Sequence, residues 1–133
     1  FRRVLFRSAR RFFQMIGAVD ALVISYAEHN GCYTAAFKNV FDWASRIDAK
    51  VFQGKPMVLL ATSPGGRGAK RVLATAVELA PHAGGEVLGS LSVPKFRESF
   101  DVERGLLTDS ELSSQLDTVL ASLAERLNPN GRA

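Results

Sequence analysis

Three short apolar runs, each followed by a turn-forming segment, set the pattern of this chain. They occupy residues 19–25, 57–62 and 86–93. The centre of the first run is continuously apolar rather than alternating, which is typical of a parallel strand covered on both faces. Apolar periodicity alone does not separate such a strand from a buried helix. The short lengths, and the polar or glycine-rich turns that follow, favour strands.

Segments with apolar residues three and four positions apart fill the intervals. They predict helices at residues 10–17 (as part of a longer helix), from 33 or 34 to about 47, at 69–79 and at 108–127. Thr108 and Glu111 fit a capping box that would start the last helix. A polar crossing segment at residues 95–107 carries Phe96 and Phe100 as its predicted anchors. This alternation predicts an α/β fold with a parallel sheet and helices on both of its faces.

The net charge of +4 is concentrated in the first residues. Residues 1–11 carry five arginines and no acidic side chain, so the remaining twelve basic and thirteen acidic side chains leave residues 12–133 at −1. A nucleic-acid-binding surface requires basic side chains on the folded body. We therefore expect no nucleic-acid partner, and a binder acting through a basic arm would depend on residues 1–11 alone.

Two further observations concern the cellular location of the protein. No apolar run approaches the ~18 residues that a membrane-spanning helix needs. The single cysteine, Cys32, cannot form an internal disulfide, and the sequence has no CxxC or zinc pattern. We therefore expect a cytoplasmic protein with no membrane partner.

The first eight residues, FRRVLFRS, resemble the in-frame translation of a sequencing adapter joined to a truncated reading frame. We therefore predict a non-native leader at residues 1–8 and a native domain at residues 9–133. A native basic arm is the alternative, and the arginine-rich, acid-poor composition also resembles a transit peptide. Under each interpretation we leave these residues out of the functional argument.

Two loops carry the candidate chemistry. Residues 26–33 (YAEHNGCY) follow the first predicted strand, and residues 63–68 (SPGGRG) follow the second. Ligands of open α/β folds bind at the carboxyl ends of strands, so we expect both loops to face one ligand. The second loop matches neither GxxxxGK[ST] nor GxGxxG. Its glycines would still let the backbone approach a flat ligand and expose amides at a helix start, with a plain turn as the alternative.

The other reactive residue types give weaker signals. Asn-Gly within residues 28–31 (EHNG) often marks a tight turn, which is the structural alternative for that segment. His29 and His82 are the only histidines, and no carboxylate spacing around them indicates a metal site. Cys32 would need a base to act as a nucleophile, so an incidental loop thiol is the simpler interpretation. Trp43 is expected in the core or an interface.

Taken together, the two loops resemble the NADPH-dependent FMN reductase family, whose fold is flavodoxin-like. The family's first signature reads approximately TPEYNGS-P--LKNAIDW-SR, and this chain has YAEHNGCYTAAFKNVFDWASR at residues 26–46. Residues 63–68 are similar to the second signature, and residues 91–101 resemble the last strand and its exit. The resemblance covers residues 17–127. The positions that match the first signature are Glu28, Asn30, Gly31, Lys38, Asn39, Asp42, Trp43, Ser45 and Arg46.

This resemblance implies an enzyme that binds FMN at the strand ends and uses NAD(P)H as co-substrate. Hydride would pass through FMN to a small-molecule acceptor: a quinone, an azo compound, a metal oxyanion or free flavin. The chemistry belongs to the cofactor, so we name no catalytic side chain and no metal ligand. The intact protein would be a homodimer or homotetramer. The implied cofactor-binding residues are Glu28, His29, Asn30 and Gly31 at one edge of the ring, and Ser63, Pro64, Gly65, Gly66 and Arg67 at its other side.

The chain also departs from the family pattern. Ala27 and His29 replace the usual proline and tyrosine, which loosens the loop but keeps a flat ring. The family's first strand with its phosphate-holding loop, and its second strand, are not found. We therefore expect residues 9–133 to form a partial flavodoxin-like, three-layer α/β/α domain that lacks the first two strands. Residues 21–25 would become an exposed apolar edge, and the fragment would bind FMN poorly and be inactive.

One competing function comes from another class. A flavodoxin-like module without cofactor could bind partners through its helix faces and catalyse nothing. Arg67 could meet the 2′-phosphate of NADPH, but a solvated loop arginine is the simpler interpretation.

Overall fold

The computed structural model describes residues 2–131, with side chains from Phe6 onward. The helices are Arg2–Gly17 (α1), Ala35–Ala44 (α2), Lys70–Leu79 (α3), Phe96–Ser99 (α4) and Ser110–Leu127 (α5). The strands are Leu22–Tyr26 (β1), Glu28–His29 (β2), Cys32–Tyr33 (β3), Pro56–Thr62 (β4), Glu86–Val93 (β5), Phe100–Asp101 (β6) and Leu106–Leu107 (β7). Within that described range, no helix combines the length and apolarity that crossing a bilayer demands.

The main sheet has three parallel strands in the order β1-β4-β5. Leu22 of β1 lies opposite Met57 of β4, and Pro56 of β4 lies opposite Glu86 of β5. Two short antiparallel ribbons, β2–β3 and β6–β7, stand apart from this sheet. The predicted α/β architecture with a parallel sheet is thus confirmed.

Helices cover the two faces of the sheet unequally. One buried cluster joins α1, α2 and α3 to one face, where Ala9, Ala44, Val72, Met57 and Leu59 are all fully buried. On the other face α5 packs on β5 and β4. The approach is close, since a Cβ placed on Gly89 would lie 2.9 Å from Val119. These contacts give three layers, with β4 as the buried central strand.

A chain of aromatic rings anchors the segment after β1. Tyr26 contacts Tyr33 and Phe37 at centroid distances of 5.5 and 5.2 Å. Phe37 stacks on Phe41 at 5.7 Å, and Phe41 contacts Phe52 at 5.5 Å. Burial of these apolar rings fixes the end of β1 and the start of α2 against the same core.

The expectation that the first strand, β1, is covered on both of its faces is wrong. Buried and exposed positions alternate along it, with Val23 51% exposed and Ser25 also exposed. The reason is that α5 lies over β4 and β5 rather than over β1. No strand of residues 2–131 pairs with the outer edge of β1, so it forms the expected exposed edge.

Two boundaries also differ from the sequence-based expectations. Asp109, not Thr108, caps α5: the Asp109 carboxylate accepts from the Leu112 amide at 3.0 Å. The Thr108 hydroxyl instead donates to the Glu98 carbonyl at 2.8 Å. Helix α1 begins at Arg2 and therefore includes most of the predicted leader, while Phe1 lies outside the described residues. The non-native origin of residues 1–8 stays a prediction.

Candidate functional site

The two candidate loops leave the sheet side by side. Tyr26, the last residue of β1, lies opposite Ala61 near the end of the parallel neighbour β4. The first loop forms the β2–β3 hairpin, in which His29 pairs with Cys32. Its two turn residues, Asn30 and Gly31, have φ values of 53° and 79°. Left-handed conformations at both positions match a two-residue hairpin turn, which explains the Asn-Gly pair structurally.

The hairpin packs on the N-terminus of α3, the helix into which the glycine-rich loop runs. The Glu28 carboxylate accepts a hydrogen bond from the Val72 amide at 2.9 Å. A Cβ placed on Gly31 would lie 3.3 Å from Nη1 of Arg71. The structure therefore brings the two predicted loops together. Sequence reasoning missed Arg71 and Val72, although Ala69 at the helix start, which has no capping side chain, is a signal that the cap comes from elsewhere.

Carbonyl groups of the glycine-rich loop accept hydrogen bonds from the end of β5 and from the segment that follows it. The Lys95 amide donates to the Gly65 carbonyl and the Phe96 amide to the Ser63 carbonyl, both at 3.0 Å. The Ser92 hydroxyl donates to the Gly68 carbonyl at 2.7 Å. These bonds fix the loop from its inner side.

The outer side of the same loop is open. The amides of Gly65, Gly66 and Arg67 have no acceptor among the described residues. A Cβ placed on Gly65 or Gly66 would find no atom within 4 Å. Free backbone donors beside two glycines that carry no side chain would suit the acceptor atoms of a flat heterocyclic ligand.

The remaining predicted residues lie on the rim of these loops. His29 and Asn30 are exposed on the hairpin, and Pro64 and Arg67 are exposed on the glycine-rich loop. Cys32 is exposed on the hairpin as well. Within residues 2–131 no group of histidine, cysteine or acidic side chains is arranged to hold a metal ion.

Tyr26, which precedes the hairpin, and Tyr33 within it both have a raised pKa. Burial, with a smaller contribution from neighbouring Tyr33, raises the pKa of Tyr26 above its ordinary value of 10.0. Burial also raises the pKa of Tyr33. Both side chains are neutral near neutral pH, and their rings pack on each other and on Phe37.

Residues 7–98 match the family model described as NADPH-dependent FMN reductase. A 64-residue stretch is 39% identical to the NAD(P)H-dependent FMN reductase PA1204 of Pseudomonas aeruginosa, covering 48% of this chain and 35% of that protein. A 61-residue stretch is 41% identical to a 2-hydroxy-1,4-benzoquinone reductase of Burkholderia sp, covering 45% of this chain and 33% of that protein. The chain thus spans about one third of the length of these curated relatives.

Two solved structures share the fold. The flavoenzyme NAD(P)H:(acceptor) oxidoreductase FerB of Paracoccus denitrificans aligns with a TM-score of 0.70 and 26% identity, over 90% of this chain and 69% of FerB. An oxidoreductase of Corynebacterium diphtheriae aligns with a TM-score of 0.66 over 92% of this chain and 63% of that protein, and at 20% identity it supports the fold alone.

The flavodoxin-like neighbours confirm the expected fold class, and the family model covers the three strands of the main sheet, both loops and the helix between them. With that match extending over more than half of its residues, the chain belongs to the NADPH-dependent FMN reductase family.

Proposed function

We propose that this protein is an NAD(P)H-dependent FMN oxidoreductase that reduces a small-molecule acceptor. The observation that carries the proposal is the pair of joined loops, with three backbone amides left unengaged at Gly65–Arg67. FMN, when bound, would supply the chemistry by accepting hydride from NAD(P)H and passing reducing equivalents to the acceptor.

The loop residues would act by binding and orienting the cofactor. The amides of Gly65, Gly66 and Arg67 would donate to acceptor atoms of the ring, with Ser63 and Pro64 shaping the loop around them. His29, Asn30 and Gly31 would line a second edge. The Glu28 carboxylate already bonds α3, so Glu28 would contribute to cofactor contact only through its backbone. No side chain is assigned to proton transfer.

A quinone is the acceptor class that we favour among those implied by the family. One relative carries benzoquinone reductase as its name, and its match reaches 41% identity over 61 residues. A quinone is flat and apolar and could approach a ring held on an open glycine surface.

Flavin binding by the 133-residue chain itself gives one test. The described residues offer two loops on one side of the candidate site, so we expect weak binding, with a dissociation constant at or above about 100 μM. Flavin fluorescence during titration with the purified chain measures it. Quenching at micromolar concentrations would contradict the expectation of weak binding and leave the flavin assignment intact.

The function itself is tested on the gene product obtained after recovering the reading frame around these residues. A yellow protein that reduces a quinone with NAD(P)H supports the proposal, whereas a colourless protein that takes up no FMN favours the non-catalytic module. Gly66→Ala is the sharpest variant, because its methyl group would stand on the open surface. We expect about tenfold weaker FMN binding with an unchanged melting temperature.

We also propose a cytoplasmic homo-oligomer of the dimer or tetramer type. The lone exposed cysteine suits a reducing compartment.

For assembly, a groove of about 210 Å³ between α2 and α3 is lined by Phe37, Phe41 and Leu79, and Leu79 is 47% exposed. Sedimentation of the gene product as a monomer at all concentrations would rule out the oligomer.

A further inference from the structure

Helix α3 begins without a capping side chain of its own. Its N-cap residue is Ala69, in the left-handed conformation with a φ of 58°, and it makes no side-chain hydrogen bond. Helices α2 and α5 differ, because Thr34 and Asp109 each accept from the amide three residues further on. The first amides of a helix lack intrahelical acceptors, so those of α3 are left to water or to another part of the chain.

Glu28 supplies that acceptor from 44 residues earlier. Its Oε2 lies 2.9 Å from the amide of Val72, the third residue of α3. An N-cap side chain normally bonds an amide at this position. A carboxylate is also favourable at the positive end of the helix dipole. Glu28 is half-buried and Val72 is fully buried, so water competes poorly for the bond.

The strand that carries Glu28 is fixed to the protein on its opposite side as well. Tyr33, the ladder partner of Glu28, packs on Tyr26 and Phe37 at centroid distances of 5.5 and 5.0 Å. These rings attach the hairpin to β1 and α2. The Glu28 bond attaches it to the helix that directly continues the glycine-rich loop.

We propose that Glu28 is a positioning residue that locks the β2–β3 hairpin against α3 and so holds the two site loops at a fixed spacing. Its carboxylate serves this internal bond and not a ligand. The consequence for flavin binding rests on the proposed function, whereas the locking of the hairpin does not.

Mobility of the hairpin tests whether the bond from the Val72 amide to Glu28 holds it in place, and this measurement needs no ligand. Cys32 is the single cysteine, and it is exposed on the hairpin, so a nitroxide attached there reports local motion. Glu28→Ala is expected to sharpen the spectrum, while Glu28→Gln keeps an oxygen acceptor and should match the wild type. Asp109→Ala removes the corresponding cap of α5 and is the matched control. An unchanged spectrum for Glu28→Ala, or an equal change for Asp109→Ala, would overturn the proposal.

Hydrogen exchange in the unmodified chain gives a second test, which holds even where Glu28→Ala does not fold. The Val72 amide bonds Glu28, whereas the Arg71 amide has no acceptor among the described residues. We expect exchange at Val72 to be slower than at Arg71 by at least about tenfold. Equal rates would overturn the proposal.

The effect of Glu28 on flavin binding is measured on the gene product that is used to test the proposed function. There Glu28→Ala should weaken FMN binding by about tenfold and Glu28→Gln by less than about threefold. Unchanged affinity together with a mobile hairpin would refute the role of the lock in flavin binding. If the wild type binds no FMN, the proposed function fails, and mobility and exchange still decide the role of Glu28.

Discussion

Gly68 is the residue on which the shape of the glycine-rich loop depends most directly. Its φ is +57°, and a Cβ there would contact Ser92 Oγ and lie 2.8 Å from the Pro94 nitrogen. The inner wall of the loop thus has no room for a side chain, whereas Gly65 and Gly66 on the outer wall face open space. Two glycine types therefore coexist in one motif, one needed for packing and one available to a ligand.

This difference predicts opposite outcomes for the same substitution. Gly68→Ala should lower the free energy of unfolding by about 3 kcal/mol, through the left-handed backbone and the overpacking. Gly65→Ala should change it by less than about 0.5 kcal/mol. Urea unfolding of both variants measures the difference. A similar effect at the two positions would mean that the loop is not held as described.

Tyr26 predicts a dependence of stability on alkaline pH. Burial first, and Tyr33 second, raises its pKa above 10.0. The unfolded state therefore loses the proton first, so the contribution is complete below pH 10 and is lost as pH rises toward the higher folded pKa. In Tyr26→Phe the fall in stability above pH 10 should be shallower, by up to about 1.4 kcal/mol per pH unit.

Unfolding midpoints of the wild type and Tyr26→Phe between about pH 8 and 11 test this prediction. Lysine deprotonation affects both proteins alike, so only the difference between their curves is used. Parallel curves would show that Tyr26 ionises as readily in the folded state as in the unfolded one.

At the level of elements, the local sequence pattern predicts the bounds of a helix or strand correctly where residues next to its ends determine them. Strand β5 was predicted with its observed bounds, Glu86–Val93, and α3 to within one residue of its observed bounds. Helix α5 was misplaced at its start because both Thr108 and Asp109 can cap, and the choice depends on a tertiary bond from Thr108 to Glu98. Local sequence does not contain that bond.

The start of α5 gives a prediction at this scale. Asp109→Ala should cost about 1 kcal/mol of stability, and Asp109→Asn only a few tenths, because asparagine also caps well. Thr108→Ala removes a mostly exposed bond and should cost less than Asp109→Ala. Thermal melts of the three variants rank them. A larger loss of stability for Thr108→Ala than for Asp109→Ala would indicate that Thr108 caps α5, as the sequence predicts.

In the candidate site, too, some features follow from the sequence pattern, whereas others depend on contacts between residues far apart in the chain. Adjacency of the two loops followed from parallel strands ending at one edge of the sheet. The bond between Glu28 and the Val72 amide spans 44 residues, so no sequence window contains both partners. Ligand contacts of the loop residues stay a prediction.

For the molecule as a whole, the sheet is unevenly protected. Its β5 side carries α5, while Val23 on the same face of β1 is 51% exposed. Next to β1 lies an apolar cavity of about 240 Å³, whose lining includes Ser25, Phe100 and Leu116. An unpaired strand edge beside an apolar face favours contact with further chains.

Val23→Lys should therefore reduce concentration-dependent association of the 133-residue chain without lowering its stability by more than about 0.5 kcal/mol. Ile24→Lys is the contrasting variant, because Ile24 packs on the core and a charge there should unfold the chain. Light scattering over a concentration series measures association. Equal scattering by Val23→Lys and the wild type would show that the β1 edge is not the contact surface.

The central place of β4 has a consequence for how the chain folds. Both parallel pairings use β4, and they close loops of about 30 to 35 residues, as the pairs Leu22–Met57 and Pro56–Glu86 show. Neither pairing is local, so we expect the sheet to form more slowly than contacts between residues near in sequence. Until the sheet forms, the apolar segment MVLLA of β4 is exposed to solvent, during synthesis as well as during refolding. We therefore expect aggregation during folding, and binding by chaperones, to depend mainly on this strand.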